Sequence, residues 1–151
     1  MSLIPVSGDE LEQVEEQQIA PEGEYDLVIT NAQATDDNGN QLKSQRTGRP
    51  LIRVNIAFEG HDEYLPIRHT VALPDRNLDD DEKYQTMLRM FKRFLHLFDV
   101  PVGKEGVDVE DMIGATAKAR VGIDTYTPTN EDGSSGEPVE QNVLRIPRIQ
   151  E

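Results

Sequence analysis

"QLKSQRTGRPLIRVNIAFEG", Gln41 to Gly60, contains the alternation on which the fold reading turns. In its second half Ile52, Val54, Ile56 and Phe58 alternate with Arg53, Asn55 and Ala57, the period-two pattern of a strand with one buried face. Its first half holds Lys43, Arg46 and Arg49, and with Arg53 these make four cations before any acid, the first being Glu59. The chain around it carries a formal charge of −14 from 29 acids and 15 bases, so an acid-free stretch this long calls for a reason.

The same alternation recurs on both sides. Upstream, "EYDLVITNAQAT" sets Tyr25, Leu27 and Ile29 against Asp26, Val28 and Thr30, after the punctuation of Pro21 and Gly23. "DDNGN" (Asp36–Asn40) supplies turn chemistry, and the connection then runs on to Pro50. Downstream, "EYLPIRHTVALP" predicts a third strand with Leu65, Ile67, His69, Val71 and Leu73 inward and Arg68 and Thr70 outward.

"DDDEKYQTMLRMFKRFLHLFDVP" changes period. Tyr84, Met87, Leu88, Phe91, Phe94, Leu95 and Phe98 form a core-facing helical stripe. Aspartates stand at its start and Arg89, Lys92, Arg93 and His96 in its later turns, as the helix dipole favours. After a short helical turn in "VEDMIG", Ala115, Ala117, Ala119, Val121 and Ile123 alternate with Thr116, Lys118, Arg120, Gly122 and Asp124. A long Gly/Ser/Pro loop follows, and "NVLRIPRI" is the last predicted strand.

Three strands, a helix and two strands, with long connections after strands one and four, match the element order of an OB-fold. The expectation is a mainly β domain over residues 23–151, a five-stranded OB-fold-like Greek-key barrel with one amphipathic helix between strands three and four. Residues 1–22 are expected to be a flexible acidic arm or a loosely docked helix. They belong to a segment, residues 1–42, that holds ten acids and no Lys or Arg.

Composition narrows the function classes. With no cysteine there is no disulfide, thiolate nucleophile or thiolate metal site. No apolar run is long enough to cross a membrane and the N-terminus lacks a secretory pattern, so a cytoplasmic protein without membrane contact is expected. No catalytic motif is present, and three histidines offer no convincing metal set. "DDNGNQ" opens with the spacing of a calcium loop, but Gln41 replaces the required glycine and Thr47 the closing glutamate. The chain is therefore read as non-catalytic, with no cofactor and no metal.

If the strands close as expected, Lys43, Arg46, Arg49, Arg53, Arg68, Lys118 and Arg120 line one groove, with Tyr64 and Tyr126 as stacking platforms. A basic groove with aromatic platforms is how single-stranded nucleic acid is held without sequence preference. A solvated sheet face carries Arg and Lys routinely, so no one of these residues decides the question. Reversing Arg49 and Arg53 to Glu is expected to abolish oligonucleotide binding at little cost in stability.

The segments "IAPEGEYDLVITNAQATDDNGN", "RPLIRVNIAFEG", "YQTMLRMFKRFLHLF", "VEDMIGATAKARVGID" and "NVLRIPRI" resemble a family of small phage-encoded replication and recombination proteins, several of them OB-fold single-stranded DNA-binding proteins. The resemblance spans roughly residues 19–149 and rests on element order and short motifs. It implies a host-cytoplasmic protein that coats single-stranded DNA, with Arg46, Arg49, Arg53 and Arg68 on the strand 2–3 face. Replication or recombination proteins are the partners expected, with the acidic N-terminal arm as the segment expected to reach them, and homo-oligomer formation is left open. Many single-strand binders end in an acidic tail, whereas this chain ends "LRIPRIQE" and carries its acids at the other end. The alternative reading is a phage structural or adaptor module, or an acidic DNA-mimicking inhibitor, acting through protein contacts.

Overall fold

The computed structural model describes residues 2–14 and 16–149. Its elements are α1 (Gly8–Gln13), β1 (Gly23–Gln33), β2 (Leu51–Phe58), β3 (Ile67–Ala72), α2 (Asp81–Leu97), β4 (Thr116–Tyr126) and β5 (Val139–Arg145), with a 3-10 turn at Val109–Met112 before β4. Among the described residues no helix is long and apolar enough to cross a membrane.

The strands form one antiparallel sheet in the order β3-β2-β1-β4-β5. β1 is the shared strand. Its first half, Gly23–Val28, pairs with β4, and its second half, Leu27–Gln33, pairs with β2. A register shift between Ile29 and Asn31 falls just past the changeover, where such a bulge bends a strand. There the 3-10 turn docks main chain to main chain, through Gly114 N–H to Ile29 O (2.8 Å) and Ile29 N–H to Ala115 O (2.9 Å).

The alternation predicted for β2 holds residue by residue: Ile52, Val54, Ile56 and Phe58 are buried, and Arg53 and Asn55 are exposed. In β3, Ile67 and Val71 are buried and His69 turns inward, its ring stacked on Phe94 at 5.6 Å between centroids. Leu65 was expected inward but is 44% exposed. It precedes Pro66, and β3 begins only at Ile67, so the alternation had been extended past the end of the strand.

α2 begins where the aspartates require. Asp80 is the N-cap, its carboxylate accepting the Lys83 amide at 2.8 Å, and Asp81 and Glu82 fill the first turn. Met87, Phe94 and Leu95, with Phe98 just beyond, are buried on the core side, whereas Leu88, assigned to the same stripe, is exposed. A fully buried Phe contributes about 1.5–3 kcal/mol. Phe94 and Phe98, each 1% exposed and 5.2 Å apart, therefore anchor the helix on the sheet. The turn after α2 places Asp99 at φ 51, in the left-handed region, immediately before Val100-Pro101.

The expected barrel is not closed. β3 and β5 are the two edges of the sheet and share no ladder. The N-terminal segment lies between them. Gln18 donates its amide to Glu63 O and accepts from Leu65 N–H, both at 2.8 Å. Ala20, fully buried, exchanges two hydrogen bonds with the Asn142 side chain (2.7 and 2.8 Å). Asn142 is the one buried polar residue among the described residues, and its amide also reaches Gly122 O at 3.3 Å, so both ends of its side chain are satisfied. Residues 18–20 thus clasp the two edges across part of the gap.

Candidate nucleic-acid interface

Register brings the outward-facing residues of β1, β2 and β3 into rows. Gln33, Arg53 and Thr70 are cross-strand neighbours, and so are Asn31, Asn55 and Arg68. All six are exposed. These two rungs offer two guanidinium groups and four neutral hydrogen-bonding side chains, with no carboxylate among them. Arg53 and Arg68 were expected here. The four neutral residues were missed: Asn55 and Thr70 could be seen to point outward, but nothing in the chain shows which residues of β1 and β3 lie beside them.

Lys43 and Arg46 stand on the connection that enters β2, and both are exposed. That connection is built rather than loose. The Asp36 carboxylate accepts the amides of Asn38 and Asn40, both at 2.9 Å, which makes the turn that resembled a calcium loop. Leu42 is buried and ties the ribbon down through Leu42 N–H to Ala34 O (2.8 Å) and Leu51 N–H to Leu42 O (3.0 Å). Lys43 then sits opposite Pro50, and a turn from Ser44 to Arg49 carries Arg46 at the tip, closing through Gly48 at φ 72.

Arg49 does something else. Its guanidinium grips the Asp79 carboxylate with two bonds of 2.5 and 2.9 Å and donates to Leu73 O at 3.0 Å. The Asp79 side chain is wholly inaccessible and that of Arg49 only 15% exposed. The Arg49 hydrogen bond, with a further one from the Asp75 amide, pulls the Asp79 carboxyl from 3.8 down to about 2. The same bond raises Arg49 above its ordinary value. Arg49 therefore fastens the β1–β2 connection to the segment that leads into α2. Reversing it to Glu would set two carboxylates together in a desolvated site, so the expectation that this costs little stability is corrected.

Lys118 and Arg120 are exposed on β4, but not in the same groove. Lys118 lies beside Asp26, and Arg120 beside Glu24, across the β1–β4 ladder. Asp26 is seven positions from Gln33 along β1, about 23 Å at the rise of a strand. Both cations thus face acids at the far end of the shared strand. Arg145, next to Arg120 across β4–β5, is paired with Asp124 at 3.1 Å.

The two tyrosines also part company. Tyr64 is half-buried in an aromatic cluster, 5.4 Å from Phe58, 5.9 Å from Tyr25, and stacked against the His61 ring at 5.1 Å. Its π-face is occupied, and the acids Glu59, Asp62 and Glu63 surround that end of the molecule. Glu63 has its carboxyl lowered by a hydrogen bond from its own main chain and by His61, 3.0 Å away. Tyr126 is 47% exposed and shares with Arg68 a cleft of about 290 Å³ that opens between β3 and β5, which Ile19, Asn142 and the acid Glu140 also line. Of the sequence-derived residues, Arg53 and Arg68 thus lie on the outward face of β2–β3, Lys43 and Arg46 on the connection that enters β2, and Tyr126 on β4 across the β3–β5 cleft from Arg68. Arg49, Tyr64, Lys118 and Arg120 stand apart from this set.

Compared with known proteins, the chain matches no family model, no curated protein and no solved structure.

Proposed function

We propose that this protein binds single-stranded DNA, without catalysis, on the outward face of β1–β2–β3, in the setting of phage replication or recombination. The observation that carries the reading is the pair of acid-free rungs, Gln33-Arg53-Thr70 and Asn31-Asn55-Arg68, in a chain of charge −14. Carboxylates on that face would repel phosphate. The guanidinium groups suit phosphate oxygens, and the amides and hydroxyl suit base edges and sugars. Strand order supports an opened OB-type barrel: a long β1 shared by both halves, the helix after β3, and the edges β3 and β5 brought near each other across the seam without pairing.

Of the two candidate aromatic platforms, Tyr126 alone reaches this face, across the cleft it shares with Arg68, so charge carries most of the affinity and salt dependence is the signature. If Lys43, Arg46, Arg53 and Arg68 each neutralise one phosphate, the log–log salt slope is about −2.8, a loss of roughly fiftyfold between 50 mM and 200 mM salt. Fluorescence anisotropy with labelled oligo-dT and a matched duplex measures both slope and strand preference. Replacing Arg53 and Arg68 together by Ala should halve the slope to about −1.4. Equal binding of duplex, or no oligonucleotide binding at low salt, overturns the reading. The latter result would favour a protein-binding adaptor or acidic DNA mimic, the reading supported by the exposed apolar side chains of the acidic arm, Leu3, Ile4 and Leu11 among them.

A further inference from the structure

Among the described residues two apolar surfaces are left without a partner, one acidic and the other bordered by a basic wall. The first is the N-terminal arm. Leu3, Ile4, Val6, Leu11 and Val14 are all exposed, between 49% and 87%, and α1 buries no residue. A six-residue helix with no packing is marginal in water. Even so, this one is encoded in detail. Ser7 and Glu10 form a reciprocal capping box, and Val6 and Leu11 occupy the two positions of a hydrophobic staple. Leu11 and Val14, three residues apart, lie on one side of it. The described arm residues include Asp9, Glu10 and Glu12 and no base.

The second surface is a groove of about 570 Å³ along the C-terminal half of α2 and the turn beyond it. Leu88, Phe91, Leu95, Val100, Val102 and Val107 supply its apolar lining, with Leu88 37% and Val102 63% exposed. Lys92 and His96 line it from α2, which carries no acid between Glu82 and Asp99 and also exposes Arg89 at this end, whereas the segment opposite, from Asp99 on, carries Lys104 beside Glu105 and Asp108. In a chain of charge −14 this is an apolar trough with one basic wall, Arg89, Lys92 and His96 of α2, which complements an acidic apolar helix laid along it.

We infer that the groove receives residues 3–14 of a second copy of this chain, so that the protein self-associates by exchange of its N-terminal arms. Within one copy the two surfaces leave each other open: the arm buries none of its large apolar side chains, and the chain that follows it is held by Gln17 to Asp62 O and by Gln18 to Ala20 in the seam between β3 and β5. Reciprocal exchange closes a dimer with both arms and both grooves filled. This proposal is independent of nucleic-acid binding, since it uses neither rung of the β2–β3 face.

The test is the mass of the full chain in solution, by light scattering as concentration rises, in the absence of DNA. It should climb from 17.0 kDa toward about twice that value. An arm variant (Leu11→Asp with Val14→Asp) and a groove variant (Leu88→Asp with Val102→Asp) should each stay monomeric and, because all four positions are exposed, melt as the wild type does at concentrations where it is still a monomer. An equimolar mixture of the two should recover association, because one intact arm then meets one intact groove. A wild type that is monomeric throughout, including one whose arm docks on its own groove, overturns the proposal. So does association that survives either variant, or a mixture that fails to recover it.

Discussion

The two halves of the sheet carry similar numbers of cations on their outer faces and treat them in opposite ways. On the β2–β3 half, Arg53 and Arg68 have neutral neighbours across every ladder, Gln33 and Thr70 for one and Asn55 for the other. On the β4–β5 half, Lys118 and Arg120 look across at Asp26 and Glu24, and Arg145 is held by Asp124. All are exposed residues of period-two strands. The difference is register: which residue of the long β1 is opposite which residue of its partner strand. A cation beside a carboxylate at cross-strand distance presents little net field to an incoming phosphate. A cation beside an amide presents its full charge. Arg49 marks a third case, a cation removed from the surface to hold two connections together.

The largest effect should come from that third case. Arg49→Ala strands the Asp79 carboxylate in its desolvated site, and we expect the greatest loss of urea midpoint among single arginine substitutions, while Arg53→Ala stays within about 0.5 kcal/mol of wild type. The pH dependence has a definite sign. Asp79 is depressed to about 2 in the folded state and returns to near 3.8 on unfolding, so between these values the unfolded chain binds the extra proton. Stability from this pair is fully present above about pH 4 and is lost as pH falls toward about 2. The variant should lack that acid-limb slope. Equal midpoints for Arg49→Ala and Arg53→Ala would erase the distinction drawn between them.

A smaller effect sharpens the comparison directly. Asp26→Asn with Glu24→Gln leaves Lys118 and Arg120 facing neutral amides, as Arg53 and Arg68 already do. If the carboxylates are what silence them, oligo-dT affinity at low salt should rise severalfold and the salt slope should steepen by up to about 1.4, the share of two more phosphates. An unchanged slope would mean that distance along β1, not neutralisation, keeps those cations out of the interface.

The smallest effect is expected where the sequence placed equal weight. Lys118→Ala with Arg120→Ala should change affinity by less than about twofold, and leave the slope within about 0.3 of wild type, because neither residue is a net contact. A loss matching that of the Arg53 and Arg68 pair would show that the two halves form one continuous groove, and the comparison would fail.

Much of the architecture could be read from the chain because it is local. The alternation in Leu51–Phe58, the helical stripe through Met87, Phe94 and Phe98, and the Asp80 cap each depend on neighbours within a few residues. So did the acid-free character of residues 41–58. Alternation also told inward from outward correctly for Arg53, Asn55, Arg68 and Thr70. It failed at Leu65, where the pattern outlasted the strand.

What only the tertiary structure decided involves partners far apart in sequence. Arg49 and Arg53 read alike, four residues apart in one basic run, and only the arrival of Asp79, thirty residues on, separates a staple from a surface charge. Lys118 and Arg53 read alike until register set one against Asp26 and the other against Gln33. The clasp of Ala20 by Asn142 joins residues 122 apart. Periodicity reports which face a side chain takes, because that is a property of one strand. Which charges meet across a ladder, and whether the ladder closes, depends on pairing between strands, and pairing is settled only when the core packs.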